Sequence, residues 1–587
     1  MRLFAIGLAA SALLAAQEPT RVFMTHCMSC HSPNSGAHAP MPEALAAIPW
    51  QDVLKTLESG SMKVQGDALT AEERVAVARY LGSSGPAAIP PEMSGFCAPG
   101  AKPAASNRSW NGWSPDNQNT RFQPASAAGL DASNLKTLDL KWAFGFPTGT
   151  SAFGQPTIVD GRVITGSNDG TVYALDANSG CLYWRYQAKT LVRAAVVVGP
   201  GPRAYFGDLE SNAYAVDANT GKLIWQKKLD DQPFTRITGS PKLYDGKLYV
   251  PIASQEENAG SNPQYPCCKF RGNVVALDAK TGAVIWRSYT TPEAGPTKVG
   301  PNGVQYYGPS GATVWSSPTI DLKRKLLYVA TGNGYSDPDI KTADAVVAMD
   351  LATGKIRWAQ QASPDMFNWD CGGRGRPTAG NCPSNPGEDV DFGSSPILVQ
   401  AGGRDLLVAG QKSGVVHAFD PDQNGKIVWQ TRIGKGGKLG GVLWGMAAAE
   451  GLVFAPLSDM GSPNPGGLFA LDPASGRIVW QTPPPAPPCA GKRGCSAAQL
   501  APPTAVPGLV LSASMDGHLR AYRIADGKIV WDFDAARDFP TVNGIQAHGG
   551  SFSGAGPTVA GGMVFVNSGY ANTGGMAGNI LLAFSVK

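Results

Sequence analysis

Cys27, Cys30 and His31 stand as Cys-Met-Ser-Cys-His near the start of a chain of 587 residues. Two thiols three positions apart, with a histidine directly after the second, suit covalent attachment of a c-type haem. The thiols add to the haem vinyl groups, and the imidazole becomes the proximal ligand of the iron. An electron-carrying haem takes a second axial ligand, and a methionine thioether raises its potential. Met62, in a loop just before the stretch "AEERVAVARYLG", is the choice for that ligand, with Met41 as its competitor. A haem domain needs far fewer residues than this chain has, so the remainder must make or use the electrons.

Around that motif the chain changes character. Met1-Arg2 and the short apolar run "LFAIGLAASALLAA" read as a signal peptide over residues 1–16, which implies export to the periplasm without stable insertion in a membrane. Residues 17–84 carry the haem motif and a helix with Val75, Val77, Ala78 and Leu81 on its apolar face, and residues 85–106 are a Pro/Ala-rich tether. The formal net charge is +4 with no sustained run of Lys and Arg, which sets nucleic acid aside as a partner. In an exported chain the ten cysteines are free to oxidise: beyond the haem pair, Cys371 with Cys382 and Cys489 with Cys495 are local pairings, leaving Cys97 with Cys181. Cys267 and Cys268 are adjacent, and spacing alone does not assign them.

Residues 107–587 are repetitive. "GTVYALDANSGCLYW", "SNAYAVDANTGKLIW" and "GNVVALDAKTGAVIW" open a series of seven hairpins that close on Trp184, Trp225, Trp286, Trp358, Trp429, Trp480 and Trp531. The Asp at each turn supplies a side-chain acceptor, the Gly a left-handed backbone, and the Trp a flat plate to pack between neighbouring sheets. A further strand pair with its own Asp-Gly turn precedes each hairpin, giving four strands per unit. An eighth unit, "PTVAGGMVFVNSGY" with "GNILLAFSVK", lacks its closing strand, and "LKTLDLKWAF" (135–144), with Trp142, supplies it from upstream. The expectation is an all-β, eight-bladed β-propeller of tryptophan-docking repeats, closed by exchange between the two ends of the chain, behind a small α-helical cytochrome c domain.

The "ALDAxTGxxxW" hairpins resemble those of the pyrroloquinoline quinone (PQQ) dependent alcohol dehydrogenases. The segments "NGWSPDNQNTRFQPASAAGL", "LKWAFGFP" and "QPTIVDGRV" are most similar to the polyvinyl alcohol dehydrogenases, quinohaemoproteins of that group. The resemblance implies a site. "NWDCGG" corresponds to the segment of the catalytic base, hence Asp370; "ATGNGYSDP" to that of a calcium ligand, hence Asn333. "YVPIASQEENAG" corresponds to a glutamate ligand, with Glu256 chosen and Glu257 its rival, and "GATVWSSP" to the floor under the quinone, hence Trp315. Thr238 and Lys412 match cofactor-contacting positions; Arg193 is a weaker match and Arg203 weaker still, because the family's adjacent-cysteine pair is absent ahead of them. His548 could line the channel or be structural.

These residue types suit a planar trianionic quinone: an aromatic plate below it, cations at its rim, and a hard cation held by Glu256, Asn333 and Asp370 at its reactive carbonyl. Lanthanide-using relatives carry a carboxylate two residues after the base; residue 372 is Gly, which favours Ca2+. The implied activity is oxidation of secondary hydroxyls of polyvinyl alcohol, or of another alcohol, with PQQ, haem c and Ca2+ as cofactors and an external cytochrome c or other acceptor as partner. A non-catalytic envelope-assembly propeller, or a cytochrome-linked propeller with another cofactor, would share the repeats. The first of these explains neither the haem motif nor the ordered Glu, Asn and Asp. Whether Cys267-Cys268 covers the quinone or serves stability alone stays open.

Overall fold

Each hairpin glycine stands where an indole of the preceding sheet lies. Gly221 takes φ 70°, and a Cβ on it would be 2.7 Å from Trp184; Gly282 (φ 72°) meets Trp225 at 2.8 Å and Gly354 (φ 73°) meets Trp286 at 2.5 Å. The glycine therefore serves twice, as the left-handed turn residue and as the gap that admits the ring. Several indoles also donate Nε1–H to a backbone oxygen in that same turn: Trp142 to Ala177 at 3.1 Å, Trp184 to Ala218 at 2.9 Å and Trp225 to Ala279 at 3.2 Å. The turn is held rigid for this by its aspartate; Asp217, for one, accepts from the amides of Asn219 and Thr220 at 2.9 and 2.8 Å.

The computed structural model describes residues 19, 22–28, 31, 45, 48–60, 62–82, 93–147, 149–262, 264–300, 303–371 and 380–587. Its strands form eight antiparallel blades: residues 157–187, 197–228, 242–289, 319–361, 397–432, 447–482 and 504–534, then an eighth. In blade 8, Thr558–Ala560, Met563–Ser568 and Ile580–Ser585 are completed by Asp139–Gly145, which pairs from Asp139↔Ser585 to Gly145↔Ile580. The exchange expected from the sequence is present; Leu135–Thr137 ahead of the strand is a short 3-10 turn. First strands of successive blades touch, blade 8 against blades 1 and 7 among them, so they form the inner wall of the ring. Burial follows from this layering. Leu326–Ala330, with a blade on either face, is buried throughout, whereas the outermost strand Leu223–Lys228 buries only Trp225.

The haem segment folds around Val22, Phe23, Cys27, Val53, Leu57, Leu69, Val77, Ala78 and Leu81, with Met62 packed against this core and His31 buried. The expected helix is Ala71–Leu81, opened by a capping box in which Thr70 and Glu73 satisfy each other's amides. Val75 is only half-buried in it. The signal peptide, Cys30 and Met41 lie outside the described residues. Part of the tether is fixed: from residue 93 onward it lies on the propeller, through Ser94 on Asn543 and the Cys97–Cys181 disulfide. Cys371–Cys382 and Cys489–Cys495 also form, and Cys267 is joined to Cys268.

Two stability predictions follow from this packing. Gly246 and Gly282 share φ near 70° in blade 3, but a Cβ at 246 would meet nothing within 4 Å. Gly246→Ala should cost about 1 kcal/mol of unfolding free energy from the backbone alone. Gly282→Ala should cost at least about 2 kcal/mol more, because Trp225 must move. His417, buried between Gln411 and Gln430, is held neutral by desolvation, its pKa lowered to about 3. The unfolded chain binds that proton below about pH 6.5, so the stabilisation is complete above that pH and is lost as pH falls toward 3. Acid unfolding curves should show a loss on the order of 4 kcal/mol across this window that is absent in His417→Gln.

Candidate active site

The loops that lead into the first strands of the blades converge on the axis, and they carry the polar residues. Arg193, Thr238 and Trp315 each lie four residues ahead of a blade's first strand, at Val197, Lys242 and Thr319. Asp389, Asp391 and Gly393 enter blade 5, and Trp444 enters blade 6. Glycines allow the close approaches. A Cβ on Gly332 would be 3.0 Å from Asp391 Oδ1, and one on Gly393 would be 2.1 Å from Trp315 Cη2.

At the centre, Asp391 Oδ1 accepts the backbone N–H of Asn333 at 2.8 Å and Oδ2 accepts from Lys412 Nζ at 3.2 Å. Lys412 also donates to Asp389 at 2.8 Å, and its ammonium lies 5.5 Å from the centre of the Trp315 ring. Trp315 meets Trp444 edge-to-face at 5.2 Å, and the Arg193 guanidinium sits 4.1 Å over Trp444 while donating to Tyr570 Oη at 3.3 Å. Arg236, on a two-residue strand paired with Ala253 and Ser254, feels both Arg193 and Glu257. Lys438 closes one side, 4.2 Å from the centres of both Phe367 and Trp369.

Carboxylates outnumber the cations that balance them here. Glu257, Asp344, Asp365, Asp389 and Asp391 act on one another, against Lys412, Lys438 and Arg236. Burial, then Asp389 and Asp391, pushes Glu257 well above the carboxylate range; burial above all pushes Asp389 up to about 6. Burial works against the Lys412 ammonium, but Asp389 and Asp391 outweigh it and hold its pKa above the ordinary lysine value. Burial brings Arg236 down to about 10. Several buried polar atoms find no partner among the described residues: Thr238 Oγ1, Trp315 Nε1, both side-chain atoms of Asn333, Arg236 Nε and both oxygens of Asp344. Such atoms call for a bound group with acceptors and donors of its own. Trp315, Asn333, Lys412 and Arg193 are thus joined by these contacts, and Thr238 lies in the corresponding loop ahead of blade 3.

Asp370 and Glu256 are placed differently. The Asp370 carboxylate accepts the amides of Asn381 and Cys382 at 2.7 and 3.0 Å, closing the Cys371–Cys382 loop. Glu256 accepts from Tyr265 Oη and from the amides of Lys269 and Phe270, while the adjacent Glu257 joins the central cluster. Arg203 is on the blade 2 strand and donates to Pro200, and His548 is exposed. Sequence reading missed Asp389, Asp391, Arg236 and Trp444. The register of the repeat was the available signal: in blade 5 the stretch leading into the first strand is "EDVDFGSSP", the counterpart of "TVWSSP" in blade 4.

Over 100% of its own length and 96% of the other protein's, the chain is 40% identical to the polyvinylalcohol dehydrogenase of a Pseudomonas species. It belongs to the polyvinyl alcohol dehydrogenase family. Its likeness to the family member of Sphingopyxis sp. (strain 113P3) is 38% over 96% of this chain and 92% of that one. The family described as glucose/ethanol/alcohol dehydrogenase, beta-propeller domain, matches residues 230–385, which hold Arg236, Thr238, Glu257, Trp315 and Asn333. That described as outer membrane protein assembly factor BamB matches residues 127–264 and 412–547, the repeats without Trp315, Asn333 or Asp391. Residues 14–81 match cytochrome C oxidase, cbb3-type, subunit III. Among solved structures, the quinohemoprotein alcohol dehydrogenase of Comamonas testosteroni shares the fold at TM-score 0.61 and 21% identity, over 82% of this chain and 81% of that one. A europium-containing methanol dehydrogenase does so at 0.62 and 18%, over 82% and 98%. The polyvinyl alcohol dehydrogenase family is one of PQQ-dependent alcohol dehydrogenases with a cytochrome segment, so PQQ and haem c are the cofactors here. The orphaned donors around Trp315 fit the first of them.

Gly393→Ala should push Trp315 from its place. The expected result, read by PQQ retention after gel filtration, is loss of the quinone with the haem spectrum unchanged.

Proposed function

We propose that this enzyme oxidises secondary hydroxyls to ketones, those of polyvinyl alcohol among them, and that Asp391 is its base. The observation that carries this is the pairing of Asp391 with Asn333 and Lys412 beside Trp315. The carboxylate has a fixed orientation and an adjacent ammonium, and the atoms around it lack partners. Asp370, with two backbone amides on its carboxylate, is the turn acceptor of its disulfide loop. Glu257, Asn333 and Asp391 would hold Ca2+. The residue two after this base is Gly393, where Trp315 leaves no room for another carboxylate, which favours a divalent over a trivalent ion. When bound, PQQ with Ca2+ at its reactive carbonyl supplies a hydride acceptor.

The chain's residues do the rest. Trp315 would give the quinone a flat floor, and Arg236, Arg193 and Lys412 would balance its negative charge. Asp391 takes the hydroxyl proton of the substrate at a carboxylate oxygen, and Lys412, donating to Oδ2 at 3.2 Å, holds that carboxylate in orientation. Phe367, Trp369 and Lys438 line one side of the site and keep water from it. Electrons leave toward the haem segment. Ser59 accepts a hydrogen bond from Thr190 at 2.6 Å, three residues from the Arg193 that covers Trp444. An external cytochrome c or other acceptor in the periplasm would reoxidise the haem held by Cys27, Cys30 and His31. Among the described residues no helix is long and apolar enough to cross a membrane.

The test is haem reduction on adding a secondary alcohol, or polyvinyl alcohol, to full-length protein loaded with PQQ and Ca2+. Wild type should reduce its haem, Asp391→Asn should be slower by about 10^2 to 10^4-fold, and Asp370→Asn should stay within about threefold of wild type. Full activity in Asp391→Asn, with loss in Asp370→Asn, would return the role to Asp370.

A further inference from the structure

The adjacent cysteines and Glu256 take no part in the reaction just described, yet they are among the most enclosed groups of blade 3: Glu256, Cys267 and Cys268 are all 0% exposed. The Glu256 carboxylate collects donors from both sides of the cysteine pair. Tyr265 Oη donates at 2.8 Å, the amide of Lys269 at 2.9 Å and the amide of Phe270 at 2.6 Å. The pair itself is held in a sheet-like exchange with Tyr307, Cys268 N–H to Tyr307 O at 3.1 Å and Tyr307 N–H to Cys267 O at 2.9 Å. Between Ser254 at the end of its strand and Asn273 at the start of the next, the only helix or strand among the described residues is the one-turn helix Glu256–Ala259. A connection of this length does not hold one shape unaided. Glu257 is in that helix, and its backbone oxygen accepts from Trp369 N–H at 3.1 Å.

We propose that Glu256 is a positioning residue: with the Cys267–Cys268 ring it staples this connection so that the neighbouring Glu257 carboxylate keeps its place beside Asp389, Asp391 and Lys412. The proposal rests on the reading that Glu257 holds a cation. It separates the two adjacent glutamates by task, one bound to protein amides and one left for the ion. A glutamine at 256 offers one acceptor oxygen and one NH2 group to three donors, so at least one donor loses its partner.

The experiment uses full-length, haem-loaded protein with PQQ and titrates Ca2+ itself, reading both bound calcium and alcohol-driven haem reduction. Glu256→Gln should raise the half-saturating Ca2+ concentration about tenfold, and Tyr265→Phe should raise it by less. At saturating Ca2+ both variants should recover the kcat and KM of wild type, whereas Glu257→Gln should not recover at any concentration. Amide hydrogen exchange at Lys269 and Phe270 should quicken in Glu256→Gln. Wild-type calcium demand in both variants overturns the proposal, as does a Glu256→Gln defect that saturating Ca2+ leaves in place. If wild type proves indifferent to Ca2+, the cation reading fails instead, and unchanged exchange at Lys269 and Phe270 in Glu256→Gln then overturns the staple by itself.

Discussion

The contact between an indole and a glycine without a side chain holds this ring together. Trp142, Trp184, Trp225, Trp286, Trp358, Trp429 and Trp480 each close one blade and lie in the turn of the next, while Trp531 meets Phe584 of blade 8 edge-on, so the angle between blades is set by an aromatic plate wedged at a fixed point. Trp142, brought from upstream into blade 8, meets Gly180 of blade 1 in the same way, with a would-be Cβ at 2.7 Å. The ring is thus closed by the same contact that builds it. Truncating such an indole to alanine in a packed interior costs about 3 to 5 kcal/mol, a large share of any domain's stability.

A ring of this kind has one consequence for chemistry: the stretches that enter the blades must all end near the axis. Sequence-distant groups, from Arg193 through Trp444, meet there without any local element to hold them. Each is instead fixed by its own blade and by a backbone or ring partner, as Asp391 is by Asn333 N–H and Lys412. Concentrating Glu257, Asp389 and Asp391 so closely works against folding, since burial and mutual repulsion push Glu257 and Asp389 toward the protonated form. The stable blades around them supply what that arrangement costs.

The repeat, the blade count, the end-to-end closure and the haem segment were legible in the sequence because each is written in a periodic or short-range signal. Glycine and aspartate at turns, tryptophan at strand ends and Cys-x-x-Cys-His all act within a few residues. Thr238, Trp315, Asn333 and Lys412 were singled out through resemblance of short segments. Asp391 was not, because the stretch between blades 4 and 5 carries a disulfide-bounded insertion that itself contains a Trp-Asp pair, and resemblance of short segments favoured that pair. Glu256 and Glu257 pose the same problem at its smallest scale. Adjacent residues on one helical turn point in different directions, so a shift of one position exchanges a group bound to amides for one that joins the central cluster.

The account comes down to which carboxylates face the cofactor. An anomalous-difference map from crystals of the full-length protein loaded with PQQ and Ca2+ tests this most directly. The account predicts one calcium peak at the cofactor, bound by Glu257, Asn333 and Asp391, with the quinone against Trp315. A peak held by Glu256 or Asp370 would contradict it.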